Sequence, residues 1–109
     1  MTYSAEASLE LIIELIEGEY SNFSVSSHWG RRQLMLGRKM FATFSEIDMS
    51  FKLEEGQLSQ AYSIAGAETW NPKGRKNPSR RWVLVPISQQ KHWMSLALKA
   101  AKYISEINA

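Results

Sequence analysis

The stretch RQLMLGRKMFATF, residues 32–44, constrains this chain more than any other. Two apolar-rich runs flank Gly37–Arg38. A two-residue connection with glycine first supplies the positive φ that a type II′ turn needs, so the runs are expected to fold back as an antiparallel hairpin. Leu34 and Leu36 alternate with Gln33 and Met35, and the second strand covers Lys39–Phe44. The turn-like Ser45-Glu46-Ile47-Asp48 follows. MSFKL then alternates again, with Met49, Phe51 and Leu53 on one face and Ser50 and Lys52 on the other. A meander of this kind leaves one sheet face in need of cover.

The cover comes from helices. Leu9, Ile12, Ile13 and Ile16 repeat at helical spacing within residues 4–17, with Glu6, Glu10, Glu14 and Glu17 on the opposite face. Ser4 is placed to cap this helix and Gly18 to end it. A short helix from Glu55 to Ala65 carries Leu58, Ala61, Tyr62 and Ala65 on one side, and Gly66 stops it. Ser88 caps a last helix through about Glu106, whose apolar stripe is Trp93, Leu96, Ala97, Ala100, Ile104 and Ile107. Residues 67–70 begin a fourth strand. RWVLVPI, residues 81–87, is a fifth, with Pro86 near its end. Residues 22–29, NFSVSSHW, read either as a loop or as a short edge strand. The expected fold is therefore α+β: a two-layer, antiparallel five-stranded sheet with helices on one face, in the order α-β-β-β-α-β-β-α.

Size fits one domain over residues 1–109. A chain this long buries about 65% of its extended surface, enough for a single core. No apolar run approaches the ~20 residues of a membrane span. The start, MTYSAEAS, has no positive n-region, so no secretory leader is expected and a cytoplasmic setting fits. There is no cysteine, which excludes disulfides and thiolate chemistry.

Net charge is only +2, but the charges are segregated. Residues 1–19 carry five glutamates and no Lys or Arg. Residues 20–45 carry Arg31, Arg32, Arg38 and Lys39 and no acid. Residues 69–105 carry eight basic residues and no acid. The densest part is NPKGRKNPSRRW, residues 71–82, where Lys73, Arg75, Lys76, Arg80 and Arg81 fall between two tryptophans, Trp70 and Trp82. Charges that lack partners are not buried, so these side chains are solvated, paired with acids or in contact with a ligand. Pro72, Gly74 and Pro78 hold the segment out of regular structure. The same loop also reads as a plain solvated connection between strands, and the segregation as charge balance within the fold.

Several phrases resemble the N-terminal domain of the TfoX family of competence regulators. They are LGRKMFATF (36–44), MSFKLEE (49–55) and AGAETWNPKGRKNPSRRWVLVP (65–86). The resemblance runs over roughly residues 5–105, and its motifs are mostly core and turn residues. The related MmcQ/YjbR family has the same layout, and RRWVLVP before a helix is similar to its His-Trp strand. One departure is HWGRRQLML, residues 28–36, where TfoX-like domains usually carry Met-Phe-Gly-Gly. The resemblance implies the α+β fold and a link to transcriptional or DNA-related regulation. It brings no catalytic residues.

The search for chemistry returns little. His28 and His92 are far apart in sequence, and a metal site needs three or four ligands. His28 reads as structural, and His92 as a surface or half-buried imidazole. Glu54–Glu55 suit a helix N-terminus better than acid–base work. No G-x-S-x-G, P-loop or G-x-G-x-x-G is present. No enzyme, cofactor or metal is therefore expected. The methionines and phenylalanines of the strands read as core. Trp82 and Trp93 are expected to pack, whereas Trp29 and Trp70 lie near loops, where exposed rings beside cations can stack on bases.

Two partner classes follow. The first is nucleic acid, held through Arg31, Arg32, Arg38, Lys39, Lys73, Arg75, Lys76, Arg80 and Arg81 if hairpin and loop share one edge of the sheet. Five phosphate contacts would give a log–log salt slope of about −4.5, or a loss of roughly 500-fold between 50 and 200 mM salt. The second is protein, either a regulatory partner or a second copy. Val83 and Val85 oppose Trp82 and Leu84, so this strand is apolar on both faces, as a strand covered by a second copy or a central strand inside a small monomer would be.

Overall fold

Ser4 starts the first helix as expected. Its hydroxyl oxygen accepts the Ala7 N–H at 3.1 Å, which satisfies one of the open donors of the first turn. The computed structural model describes residues 4–28 and 30–107; Trp29 lies outside the described residues. Helix α1, Ala5–Glu19, buries Ala5, Leu9, Ile12 and Ile16. It runs one residue past Gly18, and the Tyr20 N–H closes the last turn on the Ile16 carbonyl at 2.8 Å.

Among the described residues the sheet has six strands, one more than expected. The addition is β1, Phe23–His28, so the edge-strand reading of that stretch is the one the chain adopts. It pairs with β2, Arg31–Leu36, which pairs with β3, Lys39–Phe44, and then β4, Asp48–Lys52. Strand β6, Trp82–Pro86, lies between β4 and the two-residue β5, Glu68–Thr69. All neighbours are antiparallel, in the order β1-β2-β3-β4-β6-β5. Gly37 has φ +61° in the β2–β3 turn, the left-handed region that favours glycine.

The hairpin is less regular than its alternation suggests. Leu34 faces Ala42 but Met35 faces Met40, so Phe41 is an extra residue in β3. This bulge breaks the two-residue period. It lets Phe41 and Ala42, adjacent in sequence, both be fully buried. Phe41 then packs on Phe23 of β1, with ring centroids 6.2 Å apart.

Helix α2, Glu55–Tyr62, ends three residues before the expected Ala65. Gly66 sits beyond it in a turn with φ +83°, where a β-carbon would lie 3.0 Å from Pro86 Cγ. The last helix also starts later than the sequence suggests. Ile87–His92 forms a 3-10 segment, Gln89 leaves helical geometry at φ −117° and ψ 28°, and α3 begins at Trp93. Ser88 is therefore not its cap. The kink aims Trp93 into the core, where its indole N–H donates to the Val85 carbonyl at 3.2 Å. Ser8 of α1 secures the segment by donating to Gln90 Oε1 at 2.7 Å.

Helices α1 and α3 cover one face of the sheet. Leu34, Ala42, Phe44, Met49, Phe51, Val83 and Val85 meet Leu9, Ile12, Ile16, Trp93, Ala97 and Ile104 there in one buried cluster. Among the described residues no helix is long and apolar enough to cross a membrane.

Candidate functional site

Side chains alternate between the faces of a strand, and this separates residues that the sequence places together. Arg31 and Arg32 are neighbours, yet they point to opposite faces of β2. Arg32 turns to the helix side, where it pairs with Glu6 of α1 at 2.6 Å and lies over the Phe44 ring. Arg31 turns to the outer face, the one without helices, and pairs with Asp48 at 2.7 Å.

The outer face is polar at its centre, not apolar. Strand register places Ser26, Gln33, Thr43, Ser50 and Leu84 in one row across five strands. Thr43 and Ser50 are fully buried and share a hydrogen bond. Thr43 Oγ1 also accepts from Arg31 Nε at 3.1 Å and Nη2 at 2.8 Å. Its own hydrogen is therefore directed to Ser50. Arg31 is thus held by Thr43 and by Asp48, whose carboxylate also accepts from Ser45 Oγ at 3.1 Å. A guanidinium fixed in this way positions the surface around it. Asp48→Ala would leave Arg31 half-buried without its counter-charge. We expect a loss of about 2 kcal/mol, read from denaturant unfolding, since hydrogen bonds to charged groups contribute about 1.5–3 kcal/mol.

The basic segment folds over part of this face. Its ends are fastened: Trp70 N–H donates to the Trp82 carbonyl at 3.0 Å, and Tyr62 Oη donates to the Arg80 carbonyl at 2.9 Å. With that hydrogen used, Tyr62 Oη accepts from Thr69 at 3.0 Å. Inside the loop, Asn71 holds Arg75 from both sides. Asn71 Nδ2 donates to the Arg75 carbonyl at 2.9 Å and Oδ1 accepts the Arg75 N–H at 3.0 Å. The loop is therefore built, although it lacks regular structure.

Between loop and sheet lies an open cleft of about 820 Å³. His28, Arg31, Trp70, Lys73, Arg75 and Trp82 form the parts of its wall that carry charge or aromatic surface. Trp70 and Trp82 are both half-buried, with ring centroids 5.0 Å apart at 57°, and the Arg31 guanidinium lies 5.8 Å from the centre of the Trp70 ring. On the outer side of β6, Trp82 thus meets Trp70 of its own chain.

The nine basic residues do not form one surface. Arg31, Lys73 and Arg75 share the cleft. Lys76 is exposed on the same loop. Arg80 is exposed and lies over the Tyr62 ring, 4.5 Å from its centre. Arg81 donates to Tyr103 Oη at 2.8 Å and meets Glu55 at 3.5 Å. Arg38 and Lys39 are exposed at the β2–β3 turn and do not line the cleft. Arg32 is on the far face. Lys73, Arg75 and Lys76 form no ion pair among the described residues.

Sequence reasoning missed Gln33, Thr43 and Ser50. Their signal was present as polar residues at the outward positions of three successive strands. It also gave Trp82 to packing alone, whereas the ring is half-exposed in the cleft wall. His28, read as structural, lines the cleft, and half-buried His92 sits apart in a smaller groove near α2. Among the described residues no three His, Asp or Glu side chains are grouped to hold a metal ion. Set against known protein families, curated proteins and solved structures, the chain matches none.

Proposed function

We propose that this chain is a non-enzymatic cytoplasmic binding domain that contacts nucleic acid by its phosphates through the 71–81 loop. The regulatory role implied by the resemblance to TfoX N-terminal domains belongs to the same proposal. One observation carries it. Lys73, Arg75 and Lys76 stand on a fastened loop with no carboxylate of its own, and two of them flank a cleft walled by Trp70 and Trp82. Phosphate contacts of this kind give affinity and orientation without sequence readout.

Fluorescence anisotropy with labelled DNA at 50 and 200 mM salt tests it, comparing wild type with Lys73→Glu/Arg75→Glu/Lys76→Glu. Salt-sensitive binding lost in the variant supports the reading. Absence of binding at low salt with tens of micromolar protein ends it.

A second reading, self-association, is favoured by the β1 edge. Its six residues carry no Lys, Glu or Pro, and Val25 is exposed. Uncharged edges of this length are templates for strand addition. Sedimentation at rising concentration should then show a dimer, and Val25→Lys should return it to a monomer. A constant monomer mass in the wild type removes this reading.

A further inference from the structure

We infer that the cleft takes one unstacked nucleobase of a single strand, with the neighbouring phosphates on Lys73 and Arg75. This rests on the phosphate-binding reading and adds to it a preference for single strands.

Three features of the wall carry the inference. The first is aromatic. Trp70 and Trp82 present half-exposed indole surface to the cleft, and their mutual tilt prevents them from covering each other face to face. The Arg31 guanidinium, fixed by Asp48 and Thr43, holds the Trp70 ring in place from the sheet side. A planar ring entering the cleft therefore meets a platform that needs little ordering. Indole surfaces stack on any base, because every base has a π face.

The second feature is polar. Gln33 lies on the cleft floor. Its Oε1 accepts a long 3.4 Å bond from Ser26, while its amide N–H groups have no acceptor among the described residues. They are free to donate to a base carbonyl. Ser79 adds a hydroxyl from the loop side. The third feature is charge. Lys73 and Arg75 are exposed on the loop side of the cleft and form no ion pair among the described residues, whereas Arg31 is already neutralised by Asp48. Positive charge thus sits at the rim and the aromatic surface sits deeper. A nucleotide has the same layout, with phosphate outside and base within. The volume of about 820 Å³ falls within the range of about 300–1,000 Å³ seen for small-ligand sites.

A duplex cannot use this arrangement. Its bases are stacked on both sides and paired, so a base reaches the indoles only after extrusion. The loop cations still reach duplex phosphates. Duplex binding therefore measures phosphate contact alone, and single-strand binding measures phosphate contact plus stacking.

The test compares labelled dT10, the matching uridine RNA decamer and a 20-base-pair DNA duplex at 50 mM salt, for wild type, Trp70→Ala and Trp70→Phe. We expect both single strands to bind wild type at least tenfold more tightly than the duplex. Trp70→Ala should weaken single-strand binding by about 5- to 150-fold, the range for losing one stacked base, and leave duplex binding unchanged. Trp70→Phe keeps a ring and should recover most of the loss, and circular dichroism shows whether each variant is folded. Intrinsic tryptophan fluorescence should fall on adding dT10 to wild type, a readout independent of any variant. Equal affinity for single strand and duplex, with no quenching, overturns the base site and leaves the phosphate reading standing. Thymidine 5′-phosphate competing as well as dT10 overturns the strand in favour of a free nucleotide. Binding to none of the three overturns both readings.

Discussion

Trp93→Ala lowers the midpoint of thermal unfolding by roughly 12–40 °C. The indole is fully buried, stands edge-on to Phe44 with centroids 6.1 Å apart, and donates to the Val85 carbonyl. Removing a buried Trp costs about 3–5 kcal/mol in transfer and cavity terms. In a domain this small each kcal/mol moves the midpoint by about 4–8 °C. Total stability is only about 5–15 kcal/mol, so the variant approaches the unfolding threshold. Trp93→Phe keeps most of the volume, loses the hydrogen bond and should fall by much less. Circular dichroism melts decide the matter. A drop under about 5 °C for Trp93→Ala would show that the kink before α3 does not anchor the core.

Charge reversal in the loop has the opposite profile, with binding lost and folding kept. Lys73, Arg75 and Lys76 are exposed and form no ion pair among the described residues, so Lys73→Glu/Arg75→Glu/Lys76→Glu should leave the melting midpoint nearly unchanged. The structure also sharpens the salt dependence. Arg31, Arg32 and Arg81 are engaged with Asp48, Glu6 and Glu55 and drop out of the count. Three or four phosphate contacts remain from the loop. On a single strand these give a log–log slope of about −2 to −3, a loss of about 20- to 50-fold between 50 and 200 mM salt. That is well below the 500-fold estimate for five contacts on a duplex. Anisotropy titrations across salt separate the two. A slope near −4.5 would mean that residues outside the loop also meet phosphate.

The elements were legible where period and punctuation agreed. Leu9, Ile12 and Ile16 at helical spacing give α1, Met49, Phe51 and Leu53 at strand spacing give β4, and Gly37 gives the turn between β2 and β3. Sequence reasoning failed where tertiary packing set the local geometry. The Phe41 bulge serves a contact with Phe23, which belongs to a strand with few apolar residues of its own. The late start of α3 serves the bond from Trp93 to Val85. Phe23 is 18 residues from Phe41 and Val85 eight from Trp93, so neither contact falls within one helical turn. The candidate site was half legible. Its charges stand together in the chain. Its floor comes from β2 and β3, and becomes a surface only when register aligns Gln33 with Thr43. The alternation that forms this floor also divides Arg31 from Arg32, which adjacency in sequence had joined.

The position of β6 has a consequence for the order of assembly. Strands β1 to β4 are joined by short turns and pair with little loop to close. The pairing of β4 with β6 joins Lys52 to Trp82, about 30 residues later. Closure entropy grows with separation, so this pairing comes at greater entropic cost than the meander. One wall of the cleft belongs to the meander and the other to the segment that arrives with β6. The cleft therefore exists only when β6 is paired with β4. A ligand held there binds the complete sheet and no partial form, so its binding energy adds in full to resistance against global unfolding.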